Sequence, residues 1–288
     1  MLTLSYKNFV RLLRTVPICP KPKAIGLENI PKNEPILFVY NHVTRRAEPL
    51  FLGLAIPPRP YVRFFGEITL VSTYKLSRTK RDIMNSIFSE AAQERAARNP
   101  RARRRLEKFV NFTTRFFIAQ MSRFHIIPVY LHDPLTREEE QKKWSINKSG
   151  LEECLKSLES HIPVAIAPSG GSTHETGGIP LPQTIVPTLA SMMYKRGKVV
   201  KIVPSLVKER PEVCKATYKK YLADRILPYR LFCRLLTRSK GKRYERPRLT
   251  VEFLPPLTFA KTNPQKAEKV RFVEELQEIM YAALKKED

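Results

Sequence analysis

Apolar residues in this chain form short runs, broken only by Arg63 and Lys201 and separated by stretches whose apolar positions recur every three to four residues. That is the pattern of strands buried in a sheet and alternating with helices. The runs are Ile36-Leu37-Phe38-Val39-Tyr40, 61–65, 126–131, 162–167 and 199–204, the last ending at Pro204. A further segment, 248–254, alternates Leu249, Val251 and Phe253. The periodic stretches predict helices at about 2–16, from about 47 to Pro57-Pro58, through 79–122, and at 147–160, 184–196, 211–238 and 265–285. In 147–160, Leu151, Cys154, Leu155 and Leu158 share one face. The segment before residue 36 reads as an extended lead-in. This alternation predicts an α/β fold: one domain with a mostly parallel central sheet flanked by helices, whose ligands gather at the carboxyl ends of strands.

The first segment reads differently. Leu2, Tyr6, Phe9, Leu13 and Val16 make one helical stripe, while Lys7, Arg11 and Arg14 fall opposite. An apolar stripe faced by cations suits a helix lying in a lipid headgroup layer, or one packed on the protein's own core. Charges interrupt the apolar run and no small-residue cleavage site follows, so it does not read as a secretory signal. No stretch reaches the roughly 18 apolar residues that span a bilayer. The expected organisation is an N-terminal amphipathic helix over 1–20 and one domain over 21–288, cytoplasmic and peripheral on a membrane.

Charge sharpens this. The 288 residues hold 52 Lys and Arg against 27 Asp and Glu, a formal net charge of +25, which attracts polyanions. Two segments concentrate it: 95–108, with Arg95, Arg98, Arg101, Arg103, Arg104, Arg105 and Lys108, and 230–248. The first carries no aromatic residue and the second only Phe232 and Tyr244, and neither resembles a nucleic-acid-binding module. An anionic membrane surface or an acidic carrier protein is therefore the expected partner, and nucleic acid is not. Cys19, Cys154, Cys214 and Cys233 are widely spaced and read as reduced. The histidines are scattered, without the spacing of a zinc site, so no metal and no cofactor are expected.

The candidate chemistry sits at the ends of two of the apolar runs. Asn41-His42 closes the first, and Glu48-Pro49 follows six residues after the histidine. A base with an orienting carboxylate at one strand end is what deprotonates a hydroxyl nucleophile; the plain alternative is a surface or capping histidine. The run 162–167 leads into Pro168-Ser169-Gly170-Gly171-Ser172. Adjacent glycines there allow backbone N–H groups to approach an anion or oxyanion, or form an ordinary tight turn.

Together these segments resemble the PlsC-like glycerolipid acyltransferases, and the soluble plastid-type glycerol-3-phosphate acyltransferases in particular. Those enzymes carry an Asn-His-x4-Asp-Pro block and an Ile-Ala-Pro-Ser-Gly-Gly block followed by Arg-Asp-Arg. Here the blocks read Asn41-His42-Val43-Thr44-Arg45-Arg46-Ala47-Glu48-Pro49 and Ile166-Ala167-Pro168-Ser169-Gly170-Gly171-Ser172-Thr173-His174. Pro134–Glu138, Asn147-Lys148-Ser149 and the lead-in Gly26-Leu27-Glu28-Asn29-Ile30-Pro31 also look like family segments, and the resemblance spans roughly residues 24 to 260. It implies a glycerol-3-phosphate acyltransferase-like fold and direct acyl transfer from acyl-CoA or acyl carrier protein to glycerol-3-phosphate or lysophosphatidate. His42 would be the base and Glu48 its orienting acid, with backbone donors at Ser169, Gly170 and Gly171.

Two departures stand out. The acid is Glu, one residue further from the histidine than the family's Asp, and Ser172-Thr173-His174 replaces Arg-Asp-Arg. Serine does not supply arginine's planar fork to a phosphate. Lys148, Arg45 and Arg46 are the candidate substitutes. The alternatives are an acyltransferase-fold protein that binds lipid without turnover, and a basic nucleic-acid binder.

Overall fold

The computed structural model describes residues 22–41, 48–56, 62–67, 93–94, 98–121, 126–129, 136–167, 184–209 and 249–285. The expected helices at 2–16 and 211–238 and the basic segment 230–248 lie outside them. In chain order the elements are β1 (Lys23–Ile25), β2 (Ile36–Tyr40), α1 (Glu48–Ala55), β3 (Arg63–Glu67), α2 (Pro100–Met121), β4 (Ile127–Val129), α3 (Arg137–Glu159), β5 (Val164–Ile166), α4 (Ile185–Lys195), β6 (Lys201–Glu209), β7 (Leu249–Phe253), β8 (Leu257–Thr258) and α5 (Lys266–Lys285). By its contacts the chain divides into two compact units: one of Met1–Gly66, Ile127–Arg210 and Arg248–Asp288, the other of Glu67–Ile126 and Pro211–Pro247. The first carries the sheet. In the second, the longest described element is α2.

The strands lie in the order β1-β7-β6-β2-β5-β3-β4, with β8 also on β6. The centre is parallel, as the alternation predicts: β2 pairs with β5 and with β6, and β5 with β3. The far side is not, since β7 and β8 both run antiparallel to β6, and β1 joins β7 in parallel. β2 is buried at all five positions, which is why it reads as an unbroken apolar run rather than an alternation.

One face of the sheet packs α3, α4 and α5. Leu155 and Leu158 of α3, Leu189 and Met193 of α4, and Leu276 and Met280 of α5 meet Leu37, Val39, Val164, Ile166, Ile202 and Leu206 in one cluster. Burying each such side chain contributes about 1.5–3 kcal/mol. Phe38 and Phe253 stand outside this cluster with their rings 5.9 Å apart, edge to face. The buried residues of α1 stand outside it too, and α1 contacts β6 and β7, so α1 covers the opposite face.

Two elements depart from expectation. β6 does not stop at Pro204 but runs to Glu209. Proline lacks an N–H, and Pro204's carbonyl points to the outer side, where it accepts from Leu254 N (2.9 Å). The missing donor therefore faces the β7 and β8 side, not β2, and the break falls there. Pairing shifts by one residue between Ser205↔Phe253 and Ile202↔Leu257, with Pro255-Pro256 in the gap. The other departure is α3, which starts at Arg137 rather than near 147. Its first ten residues have no apolar stripe. Thr136 caps it, accepting from Glu139 N (3.2 Å), and three glutamates in the first turn suit the positive end of the helix dipole.

The lead-in 26–31 has a structural task. Gly26 adopts φ 73°, and a Cβ there would lie 2.1 Å from the Phe253 carbonyl oxygen, so only glycine fits. Asn29 Nδ2 donates to that same oxygen at 2.8 Å. Among the described residues no helix is long and apolar enough to cross a membrane.

Candidate functional site

β2 and β5 are neighbours, in the register Leu37↔Val164, Phe38↔Ala165 and Val39↔Ile166. β2 ends at Tyr40 and β5 at Ile166, which lies beside Val39. The strands that carry the two sequence blocks therefore end side by side within one residue of each other, about 4.8 Å apart. The next described helix after β2, α1, lies on one face of the sheet, and the next after β5, α4, on the other. In α/β sheets, ligands gather at the carboxyl ends of neighbouring strands whose following helices lie on opposite faces.

The end of β2 is held by a side chain. Asn41 is fully buried, and its carboxamide bonds Val207 of β6 twice: Nδ2 donates to Val207 O (3.1 Å), and Val207 N donates to Oδ1 (2.7 Å). A carboxamide carries an acceptor and N–H donors, as a peptide group does, so Asn41 adds one more rung to the parallel ladder. Leucine would match its size but leave both groups of Val207 without partners. The residue after this clamp is His42. Glu48 is the first residue of α1, which begins six residues further on.

His42, Arg45 and Arg46, and Ser169, Gly170 and Gly171, fall outside the described residues, as do the side chain of Glu48 and the segment Ser172–His174. Lys148 is described. It is exposed in the middle of α3, its Nζ 5.2 Å from the centre of the exposed Trp144 ring. Gly150, two residues on, faces inward: a Cβ there would lie 2.5 Å from Pro128 O, so α3 and β4 touch backbone to backbone. Lys148 thus points away from the sheet.

Charges near the sheet are paired. On the carboxyl half of β6, Lys208 Nζ lies 2.7 Å from Glu252 Oε2. At the amino edge, Arg63 of β3 donates to Glu153 (2.8 Å) and to Ser157 Oγ (2.9 Å) of α3. Burial pushes the Cys154 thiol up to about 12, with Arg63 pulling slightly the other way. This burial agrees with the apolar face expected of Leu151, Cys154, Leu155 and Leu158.

Sequence reasoning missed two features. The pair of hydrogen bonds between Asn41 and Val207 was absent from it, since nothing local in the sequence says which strand lies beside β2. The basic segment 95–108 was also read as free of aromatics. Following its helical face one turn further reaches Phe109 and Phe112, both exposed.

No protein-family model and no curated protein matches the chain. Among solved structures it has a likeness to the crystal structure of the 1-acyl-sn-glycerophosphate (LPA) acyltransferase, PlsC, from Thermotoga maritima. The TM-score is 0.41 and the identity 14%, over 98% of this chain and 79% of that one. At that score the likeness assigns neither activity nor substrate.

Proposed function

We propose that this chain is a glycerolipid O-acyltransferase, moving a fatty acyl group from acyl-CoA or acyl carrier protein to a hydroxyl of glycerol-3-phosphate, or of lysophosphatidate. The observation that supports it most is the register of β2 with β5. Two blocks more than a hundred residues apart, each resembling half of one acyltransferase signature, follow adjacent strands that end within one residue of each other. Chance matches have no reason to fall on neighbouring strands at the same edge.

In this reading His42 takes the proton from the acceptor hydroxyl as its oxygen attacks the thioester carbonyl. Glu48 orients the imidazole and stabilises its cation. Backbone N–H groups at Ser169, Gly170 and Gly171 hold the oxyanion or the acceptor's phosphate. The carbon–sulfur bond then breaks, and the thiolate leaves with the proton carried by His42. The substrate is the nucleophile, so no covalent enzyme intermediate forms. Arg45, Arg46 and Lys148 remain candidates for the acceptor phosphate. The chain would act in the cytoplasm, against a membrane that supplies or receives the lipid.

A second reading, a lipid-binding protein without turnover, is favoured by the longer His42–Glu48 spacing and by Ser172-Thr173-His174. Thiol release from acyl-CoA and from acyl carrier protein, with each acceptor in turn, separates the two. Acceptor-dependent release supports the enzyme and names its acceptor. No release with any pair, from folded protein that binds lysophosphatidate, supports the second reading. In the active case Glu48→Gln lowers turnover by at least about tenfold.

A further inference from the structure

The described face of α2 is built against helix stability. Asn99 caps the helix, its Oδ1 accepting from Arg101 N (3.0 Å) and Ala102 N (3.2 Å), and Pro100 opens the first turn. These are good start signals. Yet the first turns carry no acid and hold Arg101, Arg103, Arg104 and Arg105. Cations at the positive end of a helix dipole repel it and one another. Arg103 is offset by Glu107 (3.0 Å). Among the described residues, no carboxylate pairs with Arg101, Arg104, Arg105 or Lys108.

The helix is sharply two-sided. Ala102, Leu106, Val110 and Thr114 step by four along one side; Val110 and Thr114 are buried and the other two half-buried. Opposite runs a stripe at steps of three and four: Arg101, Arg104, Lys108, Phe112, Arg115. Arg105 and Phe109 flank it. Phe112 is 69% exposed and Phe109 41%. Thus two exposed phenyl rings lie on a face whose other described side chains are cations.

We infer that this face of α2 is a docking surface for an anionic lipid bilayer. The cations match a layer of anionic headgroups, which relieves their mutual repulsion. Phosphate alone offers nothing to the two rings. The boundary between headgroups and acyl chains takes both, since the rings enter the apolar edge while the cations stay among the headgroups. A nucleic acid would satisfy the arginines, and only a single strand with unstacked bases would engage the rings. The surface stands independently of acyl transfer: it predicts where the chain meets a membrane, not what it catalyses there.

The test uses the full chain and vesicles of phosphatidylcholine with or without about 30% phosphatidylserine. The wild type is expected to bind the anionic vesicles at least about tenfold more tightly, an advantage that fades with salt. The triple variant Arg104→Glu, Arg105→Glu, Lys108→Glu should lose at least about tenfold of that binding, and Phe112→Ala about three- to tenfold at any salt. Circular dichroism confirms that the variants are folded. Phe112→Trp, made with Trp144→Phe so that only one indole remains, should shift its emission to the blue on anionic vesicles and be quenched by brominated acyl chains. Unchanged vesicle binding in the triple variant overturns the proposal. So does tighter binding to single-stranded RNA at equal phosphate, with no blue shift on vesicles.

Discussion

The two edges of the parallel sheet are closed by different chemistry. At the amino edge charges close on one another: Arg63 with Glu153 and Ser157, Arg196 with Glu159, and Lys198 with the Glu159 carbonyl. His161 sits there too, exposed in the turn after α3, with φ 57°. At the carboxyl edge Lys208 and Glu252 also pair, but the end of β2 itself is fixed by a neutral carboxamide, Asn41, through two hydrogen bonds to Val207. Ion pairs between partly exposed side chains hold geometry loosely and consume the charges that form them. A buried amide holds the backbone without introducing a field. That is the difference between an edge that is finished and one from which a reactive side chain can project.

Breaking the amide should cost most. Asn41→Leu leaves the N–H and C=O of Val207 buried without partners, at about 1–3 kcal/mol each. We expect a loss of about 3 kcal/mol in urea unfolding, and acyl transfer reduced beyond what the unfolded fraction explains. Breaking the amino edge should cost less. Arg63→Met keeps the stem packed and loses two hydrogen bonds from a partly exposed guanidinium, about 1 kcal/mol by the same measurement, with the KM for the acceptor unchanged.

The smallest effect is one of pH, and it sharpens the comparison by showing how dry the ground beneath the amino edge is. The Cys154 thiol is pushed up to about 12 by burial, while in the unfolded chain it ionises near its ordinary value of about 8.5. The folded state thus holds the neutral form. Its contribution is whole below about pH 8.5 and is lost as pH rises from there towards about 12. Mass spectrometry after iodoacetamide at pH 8.5 should find Cys154 unmodified in native protein and modified in urea.

Much of this was legible in the sequence, and for identifiable reasons. Strands buried on both sides leave unbroken apolar runs, so β2 and β5 could be placed and their carboxyl ends named as the site. The antiparallel flank was not legible, because β7 read as a strand without direction, β8 was not read as a strand, and Pro204 looked like a terminus when only its outer side lacks a donor. The early start of α3 rests on the Thr136 cap and not on an apolar stripe, so apolar periodicity alone places its start ten residues late. Residue types and spacing name His42 and Glu48 as candidates, and both side chains lie outside the described residues. The partner of Asn41 lies 166 positions away and belongs to the tertiary fold alone.

The account turns on the histidine that follows the clamped end of β2. Thiol release with the best acceptor should be measured for wild type, His42→Ala and His161→Asn, a residue that tolerates the left-handed backbone of that turn. The account predicts that kcat/KM falls at least about 100-fold in His42→Ala and stays within about twofold of wild type in His161→Asn. A His42→Ala protein that is folded and retains wild-type turnover would contradict it.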